Sequence, residues 1–114
     1  MDAQRKRDLV RDYKERKPSR GAFAVRCAAS GQSWVSASKD LDKQQNRIWF
    51  SLGSGSHPNR ELQAAWKAHG REAFAFEVLE QLDDAERDDY ALRADLKTLE
   101  ESWREKLNAK AVAG

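Results

Sequence analysis

The feature that most constrains the fold is a regular apolar stripe in the last quarter of the chain. In residues 84–108, apolar side chains recur at spacings of three or four between charged positions; they are Leu92, Leu96, Leu99, Trp103 and Leu107. This spacing is the period of an α-helix with one apolar face. Such a helix has to bury its stripe against another element, so the rest of the chain must supply a packing surface.

Three short segments alternate apolar and polar residues with the period of β-strands. Residues 22–28 and 32–36 flank a turn signal at residues 30–31, which predicts a hairpin. Residues 73–79 are the third candidate strand. Because a two-stranded ribbon alone is marginally stable, we expect the three segments to form one antiparallel sheet.

Helical signals surround these strands. Residues 41–52 follow the potential caps Ser38 and Asp40, and a second helix is expected from residue 58 to its terminating Gly70. The sequence therefore predicts an α/β domain, with a small three-stranded antiparallel sheet flanked by helices. A basic N-terminal helix over residues 1–17 is expected to pack on a single domain formed by residues 18–114.

The charge is unevenly distributed along the chain. Residues 1–26 carry a net charge of +5 and residues 71–114 carry −5, although the whole chain carries only +2. A basic front is typical of a phosphate-facing surface, although charge alone favours a set of solvated helix faces. Both interpretations stay open at this point.

The expected compartment follows from what the sequence lacks. The lone Cys27 excludes an internal disulfide, and the N-terminus has charges where a signal peptide needs an apolar run. No stretch approaches the roughly 18 apolar residues needed to span a bilayer. We therefore expect a cytoplasmic protein with no membrane partner.

A few residues are candidates for chemistry, although no phosphate-binding glycine loop, Cys/His cluster or Ser-His-Asp signature is present. His57 lies in a Gly/Ser loop, and Glu100 lies at the edge of the apolar stripe, where its oxygens could hold Mg²⁺. Lys43 and Arg47 are four residues apart, on one helical face that could meet a phosphate. Each of these is also compatible with an ordinary solvated position.

Several strings, in this order, resemble the GIY-YIG nuclease family. The first family motif corresponds to GAF at residues 21–23, and the second corresponds to WVS at 34–36, followed by ASKDL. The family's middle resembles LGSGSHPNRELQAAWKAHGREAFAFEVLEQL, and its late helix resembles LEESWREKLN. The likeness is greater to variant domains attached to bacterial regulators of LuxR and ArsR type, through YKERKPSRG at 13–21 and the NR at 46–47.

The resemblance implies a set of site residues. Family nucleases use a divalent metal on a late glutamate, a first-motif tyrosine that activates water, and a second tyrosine and an arginine on the phosphate. Glu100 corresponds to the metal ligand, for Mg²⁺ or Mn²⁺, and His57 corresponds to the family's loop histidine. Phe23 and Trp34 replace the two tyrosines. Gln44 stands at the usual arginine position, and Arg47, about one helical turn further, is the possible substitute.

The resemblance therefore implies a degenerate nuclease that binds nucleic acid, with DNA favoured, and cuts it weakly or not at all. The expected contacts come from the basic segment 5–26, which includes Arg20 and Arg26, and from three later residues, Lys39, Lys43 and Arg47. Two alternatives stay open. One is an active Mg²⁺-dependent DNA endonuclease with a rearranged site, and the other is a protein-interaction or regulatory module that reuses the scaffold.

Overall fold

A mixed four-stranded sheet organises the fold in the computed structural model, which describes residues 19–83 and 85–112. Its strands are β1 (Gly21–Cys27), β2 (Ser33–Ser38), β3 (Phe74–Gln81) and β4 (Lys110–Ala111). They lie in the order β3-β1-β2-β4, and β1 pairs antiparallel with both β2 and β3. The predicted three strands therefore pair as expected.

The sheet differs from the prediction at its edge, because β4 adds a fourth strand parallel to β2. The correction has a simple cause. Two residues are too few to show the alternation from which a strand is predicted, and β4 is held by backbone pairing with Trp34 and Val35.

Three helices are present among the described residues: α1 (Leu41–Ser54), α2 (Arg60–His69) and α3 (Asp89–Leu107). Each begins at an acidic or amide side chain that accepts a backbone N–H, namely Asp40, Asn59 and Asp88. These caps satisfy donors that the first helical turn leaves without partners.

Three helix boundaries differ from those predicted, and one of them is the start of α2, at Arg60 and not at residue 58. The last helix begins at Asp89 and not at residue 84, because the Asp88 side chain accepts from Ala91 N and starts the helix there. The first helix continues through Gly53 and ends at Gly55, whose φ of 78° provides the left-handed conformation of a helix terminus. The helix predicted over residues 1–17 lies outside the described residues.

The core lies between one face of the sheet and the helices α1 and α2. Its members are Phe23, Val25, Cys27, Trp34, Leu41, Ile48, Leu52, Leu62, Ala65, Phe74 and Val112. The alternate residues of β1, Ala22 and Ala24, are also fully buried, and α3 packs against β1 and β2. Strand alternation therefore places large side chains towards α1 and α2, and small ones on the other face.

Gly21 begins β1 at a point where the neighbouring backbone leaves no space for a side chain. A Cβ at this position would overlap the carbonyl oxygen of Glu80, and the pairing with β3 shifts register between Ala22 and Phe23. The glycine of the first motif thus has a structural role in the close approach of two strands.

Within the part of the chain that the structure describes, no helix is both long enough and apolar enough to cross a membrane.

Candidate functional site

A cleft of about 270 Å³ opens where β2, α1 and the turn before α2 meet. Its lining residues are Ser36, Gln44, Arg47, Ile48, Ser51, His57, Pro58 and Val112. Two residues singled out in the sequence, Arg47 and His57, line this cleft together. A third, Glu100, is bonded to Ser36 in its wall. Three of the predicted site residues therefore lie in or beside this cleft.

Arg47 lies on the outer part of α1, and its residue surface is exposed. The helix begins after the cap at Asp40. In the resulting orientation Ile48 is buried in the core and Arg47 lies at the mouth of the cleft. Gln44, one turn earlier, lines the same cleft. Gln44 stands where the resemblance to nucleases expects an arginine, and Arg47 therefore lines the same cleft as that position.

His57 is held by its neighbours in the turn between α1 and α2. Its backbone N–H donates to Oε1 of Gln63 at 3.1 Å, and its ring Nδ1 accepts from the backbone N–H of Asn59 at 3.0 Å. Because Nδ1 is the acceptor, the neutral ring carries its proton on Nε2. Burial lowers the pKa of His57, which favours this neutral form.

Two buried polar residues, Asn59 and Gln63, support this turn. Asn59 caps α2 through Leu62 N and donates from Nδ2 to the carbonyl oxygens of Ala111 and Val112, each at 3.0 Å. Gln63 also donates to the carbonyl oxygen of Leu52 at 3.0 Å. The sequence predicts a helix that begins near Asn59 but does not indicate its place beside the cleft, because its contact with residues 111–112 spans about half the chain.

Glu100 projects from α3 towards the strand β2. Its Oε1 accepts a hydrogen bond from the Ser36 hydroxyl at 2.9 Å, and its Oε2 lies 3.6 Å from Nη1 of Arg104. The Glu100 side chain is 24% exposed, so the carboxylate is partly sheltered but still open to solvent. Ser36, at the motif position where the family has glycine, thus has a specific partner.

The two aromatic residues that replace the family tyrosines do not join this cleft. Phe23 and Trp34 are both 0% exposed and belong to the core. The Phe23 ring stacks on Phe76 with centroids 4.7 Å apart, and Trp34 packs near Phe74 at 6.4 Å. Their rings therefore fill the interior, and neither presents a polar atom to the cleft.

The five basic residues predicted to contact nucleic acid lie in different surroundings. Arg20 donates to the carbonyl oxygens of Asp83 and Ala85, so it holds the loop after β3. Arg26 forms a 2.6 Å ion pair with Glu77 on β3. Lys39 is exposed beside a second cavity of about 230 Å³, formed with α3. Arg47 lines the cleft, and Lys43 lies one turn before it on α1.

A metal at this site would have a single acidic ligand from the chain. In the described ranges, 19–83 and 85–112, no group of three or more His, Cys, Asp or Glu side chains is arranged to hold an ion. One carboxylate is nevertheless an ordinary protein contribution for Mg²⁺, which keeps several waters and takes further oxygens from substrate phosphates. Glu100 fits the role of the single carboxylate ligand in such a site.

The fold matches solved structures of a homing endonuclease domain. The catalytic domain of homing endonuclease I-TevI superposes with a TM-score of 0.68 and 23% identity, over 83% of this chain and 94% of that chain. A mutant of the catalytic domain of intron endonuclease I-TevI superposes with a TM-score of 0.66 and 21% identity, over 79% of this chain and 84% of that chain. No protein-family model and no curated protein matches the sequence. The chain thus has a GIY-YIG nuclease fold, as the sequence resemblance predicted.

Proposed function

We propose that this chain binds nucleic acid through the cleft, with DNA as the favoured partner, and cuts it weakly or not at all. The observation that carries the proposal is the meeting of Arg47 and His57 at one cleft, while Phe23 and Trp34 are fully buried. An exposed guanidinium beside a half-buried imidazole presents hydrogen-bond donors suited to phosphate oxygens. Lys43, one turn from Arg47 on the same helix, extends the positive charge.

His57 acts in this proposal as a donor to phosphate. Its Nδ1 already accepts from Asn59 N, so the proton of the neutral ring is on Nε2. Taking up a second proton at Nδ1 would cost the bond with Asn59. The ring is therefore better suited to contacting a phosphate oxygen than to removing a proton from water.

Weak cutting follows from the chemistry of the residues that replace the tyrosines. Phe23 has no hydroxyl, and the indole N–H of Trp34 can donate but cannot serve as a base. Removal of a positioned general acid or base typically lowers a rate by about 10²–10⁴-fold. Binding does not depend on either group and is retained.

Glu100 is the residue that would hold Mg²⁺ or Mn²⁺, as the resemblance implies. A bound divalent ion would offset negative charge on the phosphate. The hydrogen bond from Ser36 orients the carboxylate, and Arg104 balances its charge when no ion is present.

The likeness to regulator-attached bacterial domains supports DNA as the nucleic acid that the chain binds. The lone buried Cys27 supports a reducing, cytoplasmic location.

The direct test is a fluorescence anisotropy titration of a labelled oligonucleotide at a series of salt concentrations. Affinity should fall steeply with salt, because neutralisation of phosphates releases counterions. The same samples, incubated with Mg²⁺, should show little or no cleavage. Absence of binding even at the lowest salt concentration would refute the proposal.

A second candidate is a working metal-dependent endonuclease with a rearranged site. The position of Glu100 beside a cleft that also holds Arg47 and His57 favours it. Supercoiled plasmid incubated with Mg²⁺ or Mn²⁺ decides between the two. Nicking that is abolished by Glu100→Ala, and retained by the control Glu101→Ala at the exposed neighbouring position, would establish the endonuclease.

A further inference from the structure

Phe50 is a large aromatic residue that the fold leaves in solvent. It is 78% exposed, although it lies in the middle of α1, whose inner residues Ile48 and Leu52 are buried. A scattered exposed apolar residue needs no explanation by itself. The charges near Phe50, however, set it apart from Tyr90, the other strongly exposed aromatic residue among residues 19–83 and 85–112.

Phe50 follows Arg47 by three residues and Lys43 by seven, so the three side chains lie along one exposed stripe of α1. Residues three apart on a helix have Cβ atoms about 5–6 Å apart. The whole stripe is roughly 10 Å long, from a rise of 1.5 Å per residue. That length corresponds to about three nucleotides of a stacked strand at 3.4 Å each.

We propose that Phe50 stacks on an unpaired base of a single-stranded, or locally unpaired, nucleic acid whose phosphates contact Arg47 and Lys43. The proposal rests on the proposed function and names the class of nucleic acid that the cleft takes. A positively charged surface combined with an aromatic side chain on which a base can stack is the arrangement by which proteins bind single strands without reading sequence. In an intact duplex, the base faces are covered by neighbouring bases, so the ring would have no surface to stack on.

The charge around each exposed aromatic residue supports this choice. Tyr90 is 84% exposed on α3 beside two aspartates at residues 88–89, whose negative charge Arg93, three residues further on, offsets only in part. Phe50 has Arg47 at the cleft mouth one turn away. Tyr90 is therefore a control with similar exposure and electrostatic surroundings that are less favourable to a phosphate.

The experiment compares labelled single-stranded and duplex oligonucleotides in anisotropy titrations with the full chain. Phe50→Ala should weaken single-strand binding by about tenfold and leave duplex binding unchanged. Phe50→Trp should retain or strengthen single-strand binding, because its ring also stacks, and Tyr90→Ala should have no effect. Circular dichroism checks that each variant is folded. Parallel titrations with oligomers of dT and rU identify which nucleic acid supplies the base.

The outcomes separate this proposal from the one on which it rests. If Phe50→Ala leaves affinity for both dT and rU oligomers unchanged while Arg47→Gln weakens it, stacking is refuted and phosphate binding stands. Equal losses on single strands and duplexes also refute stacking. Retention of nucleic-acid affinity in Phe50→Ala, with loss of a contact to another protein, would make the ring a protein-docking residue. If the parent protein binds no oligonucleotide at low salt, the proposed function itself fails.

Discussion

The hydroxyl of Ser36 donates a hydrogen bond of 2.9 Å to Oε1 of Glu100, and this bond joins β2 to α3 at the wall of the cleft. Arg104, four residues along the helix, lies 3.6 Å from the second oxygen. Both oxygens of the carboxylate are therefore oriented by side chains of the chain itself. A serine at the motif position that is glycine in the nuclease family gives the glutamate a structural partner.

Removal of the serine hydroxyl tests that partnership. Ser36→Ala should lower the free energy of unfolding by about 1 kcal/mol, the usual contribution of one hydrogen bond, measured by urea denaturation. Ser33→Ala is the control, because strand alternation places Ser33 on the opposite face of β2. Equal losses in the two variants would contradict a specific role for the Ser36–Glu100 bond.

Asn59 should be the polar residue on which the turn beside the cleft depends most. Asn59→Ala removes the cap of α2 and both donors to Ala111 and Val112, so we expect a loss of about 2–3 kcal/mol in unfolding free energy.

Asn59→Asp keeps the capping oxygen but places a buried carboxylate oxygen against the carbonyl oxygens of Ala111 and Val112, so its loss should be at least as large. Hydrogen exchange reports the loss directly. The amide of Val112, which donates to Val35 O at 3.1 Å, should exchange faster in both variants. Unchanged exchange at Val112 would show that Asn59 does not hold the last strand.

Restoring a tyrosine at the first motif should not restore a nuclease. Phe23 is fully buried and stacked on Phe76, so the added hydroxyl of Phe23→Tyr would be buried among apolar groups. We expect a loss of about 1–3 kcal/mol in unfolding free energy and no gain in plasmid nicking. Phe50→Tyr is the control, because its added hydroxyl is in solvent and the free energy of unfolding should change little. A stable Phe23→Tyr variant that nicks plasmid would overturn the assignment of Phe23 to the core.

The lowered pKa of His57 predicts a pH dependence of stability. Burial depresses this pKa below its ordinary value of 6.5, so between the two values the unfolded chain binds the proton more readily than the folded chain. The free energy of unfolding should therefore fall as the pH decreases below 6.5, and this contribution should level off beneath the folded pKa.

The His57→Gln variant isolates this contribution in urea denaturation at pH 7.5, 6.5 and 5.5. Its stability should fall less than that of the parent protein over this range. His69→Gln, which removes the exposed histidine at the end of α2, should behave as the parent does. Identical pH dependence in the parent and His57→Gln would count against a buried neutral imidazole.

Much of the fold was accessible from local sequence patterns. Alternation predicted β1, β2 and β3, and the apolar stripe of Leu92 to Leu107 predicted α3, because these patterns reflect burial of one face. The strand β4 was missed, since two residues carry no period. The prediction starts α3 too early, at residue 84, because charged residues precede the apolar stripe without a break in pattern; the contact of the Asp88 side chain with Ala91 N fixes the start at Asp89.

The site was predictable only in part, because its contacts join residues far apart in sequence. The order of the motifs predicts Glu100 and His57 as site residues, and helical spacing predicts Arg47. The bond from Ser36 to Glu100 spans 64 residues, and no local pattern indicates it. The internal partners of Arg20 and Arg26 were hidden for the same reason, so net charge alone overstated how much basic surface is free.

The most direct test of the central claim is the salt dependence of DNA affinity in the parent protein and in Arg47→Gln. If Arg47 contacts a phosphate, its removal weakens binding at every salt concentration and lowers the magnitude of the slope of log affinity against log salt by about 1. Lys67→Gln, on the exposed face of α2 and outside the residues that line the cleft, should leave the slope unchanged. Equal slopes for the parent, Arg47→Gln and Lys67→Gln would contradict a phosphate-binding cleft.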